Sequence, residues 1–315
     1  MEKHHRQRTS IILLMLTVLA GCNCVTCTNK SGAASSSAVA FVLRGNDARI
    51  CTTQDFKNTV ALTEGFLDSS PAWGPGKKEI FFDRSYEGSP EVRIWKMRWN
   101  GADQVAITPH GLHCEAPSLS PDGKHIAFMC EDRYSGGSLS RFDVCMVNPD
   151  GSNWTVLTDS AEFKPSIFAY FGRPTWSRDA SKLGMYFHRI DQSNVFSFGI
   201  LDLKTHDMTF FPQIDSLNGE DFQWSPTRDE LVFLGYNLRV FRMNADGSGI
   251  TELVGSYNNY VDWSPDGNEI IYDYQDSATV ASSSEASFWV MNRDGTNKHV
   301  VMPYSGVWIA APSWK

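Results

Sequence analysis

Histidines and adjacent carboxylates are the side chains of this sequence that could carry out catalysis. The histidines beyond the N-terminal segment are His110, His113, His125, His188, His206 and His299. A catalytic metal needs three or four ligands that converge on one face and leave one position open. Only His110 and His113 lie close together in the sequence. We therefore interpret the histidines as surface residues and expect neither a metal site nor a cofactor.

Two pairs of neighbouring carboxylates, Glu131-Asp132 and Glu220-Asp221, could act as a general acid and a general base. The distance between two carboxyl groups decides such chemistry, and a sequence does not provide that distance. The sequence also lacks a nucleophile elbow, a Walker A loop, a dinucleotide-binding turn and a zinc-binding His-Glu-x-x-His helix. We interpret the pairs as solvated loop charges and predict no catalytic residue.

The N-terminal segment has the pattern of an export signal. Lys3, Arg6 and Arg8 precede an almost wholly apolar run from Ile11 to Ala20. A basic region followed by a short apolar region is typical of a signal peptide. The run is too short for a permanent transmembrane helix, which needs roughly 20 residues.

This run ends in Leu19-Ala20-Gly21-Cys22, which resembles the lipobox of bacterial lipoproteins. The resemblance implies that Cys22 is acylated, and it implies export to the outer membrane because Asn23 follows the cysteine. Acyl chains anchor a protein firmly, since each buried CH₂ contributes about 0.8 kcal/mol. An ordinary cleavage site followed by an unrelated cysteine is the alternative. We expect a signal peptide over residues 1–21 and a flexible tether over residues 22–37, which are rich in small polar residues.

Composition excludes two classes of protein. The 315 residues include 28 Lys plus Arg and 36 Asp plus Glu, which gives a formal charge of −8. This charge disfavours binding to nucleic acid. Hydrophobic residues at 42% and aromatic residues at 12% can form a large core, so the chain is not a disordered protein.

Two motifs recur after residue 38. The first contains Ser-Pro-Asp-Gly and is clearest in residues 117–128 and 261–272. The second contains Asp-Gly after an Asn-x pair and is clearest in residues 144–158, 240–253 and 289–301. Asp-Gly between alternating apolar runs indicates a β-hairpin, because the turn needs a positive φ that glycine adopts without strain. One repeat is therefore predicted to be four short strands.

Four-stranded units bury both of their faces when they stack around an axis as a β-propeller. Anchor residues recur every 46, 57, 48, 39 and 51 residues, which is about one blade each: Trp73, Leu119, Trp176, Trp224, Trp263 and Trp314. The last repeat has one strand, and residues 39–62 have three strands without an opening strand. We expect the C-terminal strand to join the N-terminal blade. The prediction is an all-β, six-bladed β-propeller of four-stranded antiparallel blades over residues 38–315.

These motifs resemble the TolB-type propeller repeats of bacterial envelope proteins, also known as WD40-like or PD40 repeats. The resemblance covers about residues 38–315 and is weak at residues 74–77, 178–181 and 226–229, which replace the usual Pro-Asp-Gly turn. It implies a scaffold that binds other proteins. TolB carries an α/β domain before its propeller, and residues 23–37 leave no space for one. The resemblance therefore implies the fold and general class, without the particular Tol-Pal partnership.

Long connections are predicted on the face opposite the tight Asp-Gly turns, at residues 84–91, 131–140, 159–173 and 275–286. Such loops commonly carry binding sites, and aromatic residues and arginines are favoured at protein interfaces. The candidate binding face comprises Arg84, Tyr86, Arg133, Tyr134, Phe168, Tyr170, Phe171 and Arg173. A plug above neighbouring blades is the alternative for residues 168–171.

A disulfide between Cys114 and Cys130 is a further hypothesis. If residues 121–123 form the hairpin turn, Ser120 faces Lys124 and the same register places Cys114 opposite Cys130. An oxidising periplasm permits this bond. Cys145 on the next strand is a competing partner for Cys130.

The sequence as a whole predicts a lipid-anchored, monomeric, non-catalytic interaction scaffold of the cell envelope that faces the periplasm from the outer membrane. Envelope proteins are the expected partners, and nucleic acid is not. The alternative is a carbohydrate-active or small-ligand-binding propeller of the lyase type that uses the long-loop face. Three imidazoles or carboxylates converging in the central cavity would favour the enzyme, and a wide aromatic face would favour the scaffold.

Overall fold

The computed structural model describes residues 38–44, 47–86, 88–89, 91–131, 142–158, 167–189, 195–217, 219–255, 258–274, 287–303 and 308–314. The predictions for the signal peptide, the tether and Cys22 lie outside these residues, as do those for Arg133 and Tyr134. Within the described ranges, no helix has the length and apolar character needed to cross a bilayer.

The described residues form 24 strands in five sheets. One sheet contains β1 (Val39–Arg44), β2 (Ala48–Thr53), β3 (Thr59–Ala61), β4 (Leu67–Trp73), β5 (Glu79–Ser85), β6 (Val92–Arg98), β7 (Val105–Ala106) and β24 (Trp308–Trp314). The second contains β8 (His113–Leu119), β9 (Ile126–Glu131), β10 (Phe142–Val147) and β11 (Thr155–Val156), and the third contains β12 (Ile167–Trp176), β13 (Lys182–Arg189), β14 (Val195–Asp202) and β15 (Met208–Phe210). The fourth contains β16 (Glu220–Trp224), β17 (Glu230–Gly235), β18 (Arg239–Asn244) and β19 (Thr251–Val254), and the fifth contains β20 (Val261–Trp263), β21 (Glu269–Tyr274), β22 (Ser287–Asn292) and β23 (His299–Met302). A short helix, α1 (Pro212–Asp215), and the 3₁₀ turns Pro75–Lys77 and Tyr236–Leu238 lie between strands.

The prediction of six four-stranded blades is wrong. The structure has four separate four-stranded blades, and the other eight strands form one sheet in the order β24-β1-β2-β4-β5-β6-β7, with β3 paired to β2. The reason is a parallel bridge between β2 and β4 at Ala48 and Leu67. There the amide of Ala48 donates to the carbonyl of Phe66 at 3.1 Å. This main-chain pairing joins strands that the sequence assigns to two blades.

The C-terminal strand lies antiparallel to the first described strand, as the sequence predicts. Val39 is opposite Trp314, and Arg44 is opposite Trp308. The indole of Trp314 is buried in a cluster that also contains Phe41 and Phe288. This pairing covers two strand edges that would otherwise be open to another chain.

The Asp-Gly turns have the conformation that the hairpin prediction requires. Gly267 has a φ of 66° and Gly295 a φ of 84°. In the first of these turns, the carboxylate of Asp266 accepts hydrogen bonds from the Ser264 hydroxyl at 2.7 Å and from the Asn268 amide at 3.0 Å. The side chain of Asp266 thus stabilises the turn in which it lies.

The structure joins Cys114 and Cys130 by a disulfide, with the Cα atoms 4.2 Å apart. The two residues are opposite each other in the β8–β9 register, although Ser120 faces His125 instead of Lys124. A bulge between Glu115 and Ser118 shifts the register by one residue and compensates for this difference. Cys145 lies opposite Phe128 on the neighbouring strand.

We expect non-reducing peptide mapping of the exported protein to recover the peptides of Cys114 and Cys130 as one linked species. The reason is that the β8–β9 register places the two cysteines directly opposite each other on adjacent strands. Alkylation before digestion, followed by mass spectrometry, is the measurement. Labelled thiols at both positions, or a linked peptide containing Cys145, would rule the pairing out.

Candidate functional site: the central cavity

A cavity of about 460 Å³ lies at the centre of the propeller. Residues of β4, β8, β12, β16, β20 and β24, which open successive repeats, line this cavity. Its polar side chains include Asp83, Glu115, Arg173, Asp221 and Tyr260. The centre therefore contains carboxylates and one guanidinium next to strand backbone.

Backbone irregularities shape the wall of the cavity. Register shifts occur in β4, β8, β12 and β16 where these strands face the cavity. Residues with positive φ occupy the shifts, including Ser70 at 49°, Ala116 at 55° and Asp221 at 47°. A bulge leaves backbone N–H groups outside the ladder of its own sheet. Those groups need acceptors from elsewhere.

Side chains of neighbouring repeats supply these acceptors. Asp83 accepts a hydrogen bond from the amide of Ala116 at 2.9 Å and another from the hydroxyl of Ser69. Asp221 accepts from the amide of Val261 at 3.0 Å and from the side-chain amide of Gln223 at 3.1 Å. These carboxylates connect each repeat to the inner strand of a neighbouring repeat around the cavity.

The same connection recurs at two more positions of the ring. The hydroxyl of Thr175 accepts from the amide of Trp224 at 2.7 Å. The carboxylate of Asp262 accepts from the amide of Trp314 at 2.9 Å, which fixes the C-terminal strand to the preceding blade. A polar belt thus links successive inner strands.

Burial changes the ionisation of the acids in this belt. Removal from solvent raises the pKa of Asp221 to about 6, although the positive charge of Arg173 acts in the opposite direction. Burial also raises the pKa of Asp273 to about 6, against the hydrogen bonds that the amides of Asn259 and Tyr260 donate to it. The pKa of Asp83 is raised by burial as well. A buried charge is costly without full compensation, and its protonated form avoids that cost.

The raised pKa of Asp221 predicts a pH-dependent stability difference in Asp221→Asn. The wild-type carboxyl stabilises the fold below its ordinary pKa of 3.8, and this contribution is lost as the pH rises through about 6. Asparagine does not titrate, so the stability of the variant relative to wild type should rise by more than ~1 kcal/mol between pH 5 and pH 7.5. Urea unfolding at both pH values is the measurement. Asp207→Asn on an exposed turn is the control, and parallel behaviour of the two variants would contradict the expectation.

Arg173 is the predicted binding residue that lines the central cavity. It is partly buried, and its guanidinium donates to the carbonyl of Pro71 on β4 at 3.2 Å. A charged donor that holds only a neutral carbonyl there can exchange it for a carboxylate or another carbonyl of a ligand. Arg173 therefore offers a recognition group inside the cavity.

The other described members of the candidate binding face lie elsewhere. Arg84 is 2% exposed and pairs with Asp68, with Nε 2.6 Å from Oδ1 and Nη2 2.9 Å from Oδ2. Its guanidinium also lies 3.9 Å from the ring centroid of Phe66. Arg84 is therefore part of the interior. Tyr86 is 41% exposed and makes an edge contact with Phe66.

The predicted loop over residues 159–173 is shorter than expected at its C-terminal end. Strand β12 begins at Ile167, so Phe168, Tyr170 and Phe171 belong to an inner strand. Tyr170 is opposite Phe187 and Phe171 is opposite Tyr186 in the register with β13. Strand alternation was missed because the bulge between Phe171 and Thr175 interrupts the period of two.

Among the described residues, three carboxylates line the cavity, and each is engaged by other groups of the protein. Asp83 and Asp221 use both of their oxygens in the polar belt, and Glu115 pairs with His113 at 3.1 Å. Within the part of the chain that the structure describes, no group of three or more His, Cys, Asp or Glu side chains could hold a metal. The arrangement is suited to binding through Arg173 and the backbone.

Sequence reasoning missed the acids of the belt. Asp83, Asp262 and Asp273 lie in predicted strands, where a polar residue is ordinarily interpreted as facing solvent. A detectable signal existed, since Asp262 directly precedes Trp263 in an opening strand, and Asp83 and Asp273 lie on the strands that follow Trp73 and Trp263. Only the bulges of the neighbouring strands show why acceptors are needed there.

Comparisons with known proteins agree with this fold. The Tol-Pal system protein TolB of Anaeromyxobacter dehalogenans strain 2CP-1 is 30% identical over 143 residues, which cover 44% of this chain and 29% of that protein. The crystal structure of TolB from Acinetobacter baumannii matches with a TM-score of 0.71 at 17% identity, over 89% of this chain and 66% of that one. The fold is a TolB-like β-propeller.

A putative TolB from Agrobacterium tumefaciens adds a second structural match to this TolB-like propeller. Its TM-score is 0.63 at 16% identity, over 87% of this chain and 98% of that one. No family model matches the sequence. This chain spans less than a third of the length of the curated relatives it matches, and identities this low among solved structures establish the fold alone.

Proposed function

We propose that the protein is a lipid-anchored, non-catalytic scaffold of the bacterial cell envelope that binds a partner protein at the central cavity. Residues 1–21 direct export, Cys22 carries the lipid, residues 22–37 form a tether, and residues 38–315 form the TolB-like propeller. The curated relatives are named as Tol-Pal system proteins. Their similarity supports an interaction role related to that system and a partner among envelope proteins.

The observation that carries this proposal is the hydrogen bonding of the cavity acids. Asp83 and Asp221 are held by amide or hydroxyl donors on both oxygens. A general acid or base must instead reach the proton it transfers. Arg173 adds a donor whose described hydrogen bond goes to a main-chain carbonyl. These properties favour recognition over the lyase alternative.

Site-specific photocrosslinking tests the role of the cavity. A photoreactive residue replaces Leu238, which lines the cavity, and in a second protein it replaces Val300, which is 45% exposed on an outer strand. We expect a discrete crosslinked partner from position 238 and a different pattern from position 300. Arg173→Ala should reduce the first crosslink, while Arg98→Ala, at a residue 65% exposed, should leave it unchanged. Identical patterns from both positions would refute binding at the cavity.

Metabolic labelling tests the anchor separately. Wild-type protein should incorporate labelled fatty acid and sediment with outer membranes, because acylation of Cys22 attaches the tether to lipid. Cys22→Ser should lose the label and remain in the periplasmic fraction, whereas Cys24→Ser should keep both properties. Equal labelling of the two variants would refute acylation at Cys22.

A further inference from the structure

A second cavity lies between two blades, away from the central one. It has a volume of about 530 Å³ and separates the β12–β15 blade from the β16–β19 blade. Apolar side chains of Ile200, Phe211 and Trp224 form part of its wall. We call this space the interblade cleft. Its size falls within the range of ligand-binding pockets.

The next interface in the ring is closed by arginines. Between the β16–β19 and β20–β23 blades, the guanidinium of Arg228 donates to the carbonyl of Gly267 at 2.7 Å and to the side-chain oxygen of Asn268 at 3.0 Å. Arg293 of the later blade pairs with Glu230 of the earlier one, with Nε 2.6 Å from Oε2. Two guanidinium groups therefore occupy this interface.

Main-chain hydrogen bonds identify the equivalent positions at the interblade cleft. Three matching turns share one main-chain hydrogen bond, from the amide of a serine to the carbonyl five residues later. The pairs are Ser177 with Lys182, Ser225 with Glu230 and Ser264 with Glu269. By this alignment Ala180 is equivalent to Arg228, and Asp229 is equivalent to Asn268.

A second main-chain hydrogen bond aligns the position of Arg293. The amide of Ala245 donates to the carbonyl of Asp229, as the amide of Arg293 donates to the carbonyl of Asn268, so Ala245 is equivalent to Arg293. Both arginines of the closed interface are alanines here.

The interblade cleft has an acceptor at the position equivalent to Asn268, but no arginine at the position equivalent to Arg228. Asp229 places a carboxylate where Asn268 accepts the guanidinium of Arg228. No other described side chain forms a hydrogen bond or ion pair with that carboxylate. A carboxylate is a stronger acceptor of a guanidinium than an amide oxygen.

The indole of Trp224 gives an independent sign of an incomplete interface. Trp176 donates from its ring nitrogen to the carbonyl of Ser118 at 2.9 Å, and Trp263 donates to the carbonyl of Gln223 at 3.0 Å. The ring nitrogen of Trp224, which is 8% exposed, is buried without an acceptor among the described residues. The hydrogen bond that Trp176 and Trp263 each donate to the preceding blade therefore has no counterpart at Trp224 among the described residues.

Charge around the cleft favours a cation. The carboxylates of Asp179, Asp229 and Asp246 line it, against the side chains of Arg178 and Lys182. Hydrogen bonds from Ser177 and Ser181 lower the pKa of Asp179 to about 2. Lys182 is exposed and can extend its ammonium group into water. The rim thus keeps a net negative charge at neutral pH.

We propose that the interblade cleft binds an arginine side chain of a partner protein. The guanidinium pairs with Asp229, as Arg228 pairs with Asn268 at the neighbouring interface, and its aliphatic stem packs against Phe211 and Trp224. This site is separate from the central cavity and does not depend on the function proposed for that cavity.

The test titrates N-acetyl-arginine methylamide into the purified, host-processed protein labelled with ¹⁵N-tryptophan. Trp224→Phe assigns the relevant indole resonance. We expect a saturable shift of that resonance in the millimolar range, and no saturation with the citrulline analogue, whose side chain is neutral. No shift with the arginine probe, or equal shifts with both probes, would overturn the proposal.

Three variants complete the test. Asp229→Ala should weaken probe binding at least about tenfold, because a hydrogen bond to a charged group is lost. Asp207→Ala removes a carboxylate from an exposed turn of the neighbouring blade and should leave binding unchanged. Ala180→Arg should abolish the shift of the Trp224 resonance, because the new side chain supplies a guanidinium to Asp229 from the protein itself. Unchanged binding in Asp229→Ala would contradict the assignment of the acceptor.

Discussion

Deletion of residues 308–315 should abolish cooperative folding of the whole propeller. The deletion removes β24, which pairs with β1 and whose Trp314 amide donates a hydrogen bond to the carboxylate of Asp262 in the preceding blade. The edge of β1 that β24 covers would then be open to solvent and to other chains. Circular dichroism during urea unfolding should show a broad, low-midpoint transition, and light scattering should show aggregation.

A point substitution keeps this expectation testable if the truncated chain cannot be purified. Trp314→Ala should lower the free energy of unfolding by about 3–5 kcal/mol, as is usual for a large aromatic residue removed from a core. Val300→Ala is the control, because Val300 lies 45% exposed on an outer strand. Similar unfolding midpoints for the two variants would show that closure by β24 does not stabilise the ring.

Breaking the ion pair between Arg84 and Asp68 should have an effect of similar size. Asp68 is fully buried, so Arg84→Met leaves a charge without its partner in the interior. Such a change costs about 3–5 kcal/mol. Urea unfolding of Arg84→Met measures the loss, and Asp68→Leu in the same chain should recover most of it by removing the unpaired charge.

An exposed pair provides the matched control for this experiment. Arg98 and Asp103 form an ion pair at 2.7 Å with both side chains 65% exposed. Arg98→Met should change the free energy of unfolding by less than ~1 kcal/mol, because water screens an exposed pair. An equally small change in the free energy of unfolding for Arg84→Met would contradict a structural role for Arg84. It would favour the predicted place of Arg84 in a binding face.

Arg84 also shows why loop composition alone misplaces a binding face. An arginine next to an aromatic residue at a predicted loop boundary has the composition of an interface. In the folded chain β5 extends to Ser85, and the guanidinium turns inward to Asp68 and Phe66. Arg173 has the same residue type and a similar sequence context, yet it lines the central cavity. Burial and partners distinguish the two arginines, and both depend on distant residues.

The significance of the interblade cleft also depends on residues that are distant in the sequence. Ala180 and Ala245 are unremarkable in the sequence, and the irregular turns at residues 178–181 and 226–229 indicated only weak repeats. Their meaning depends on Arg228 and Arg293 at the equivalent places of the next interface. Alignment of turns through their hydrogen bonds reveals the missing side chains.

Local features of the sequence were sufficient for the strands, the hairpin turns and the pairing of the first and last described strands. Asp-Gly turns and alternating apolar residues act over a few positions, so the sequence of each repeat determines its own strands and turns. The number of separate blades, the bulges of the inner strands, the acids of the polar belt and the open cleft were decided by tertiary structure. These features depend on contacts between different strands, such as the bridge of Ala48 with Leu67. In the contact of Asp83 with Ala116, a backbone donor displaced from one sheet is satisfied by a side chain of another.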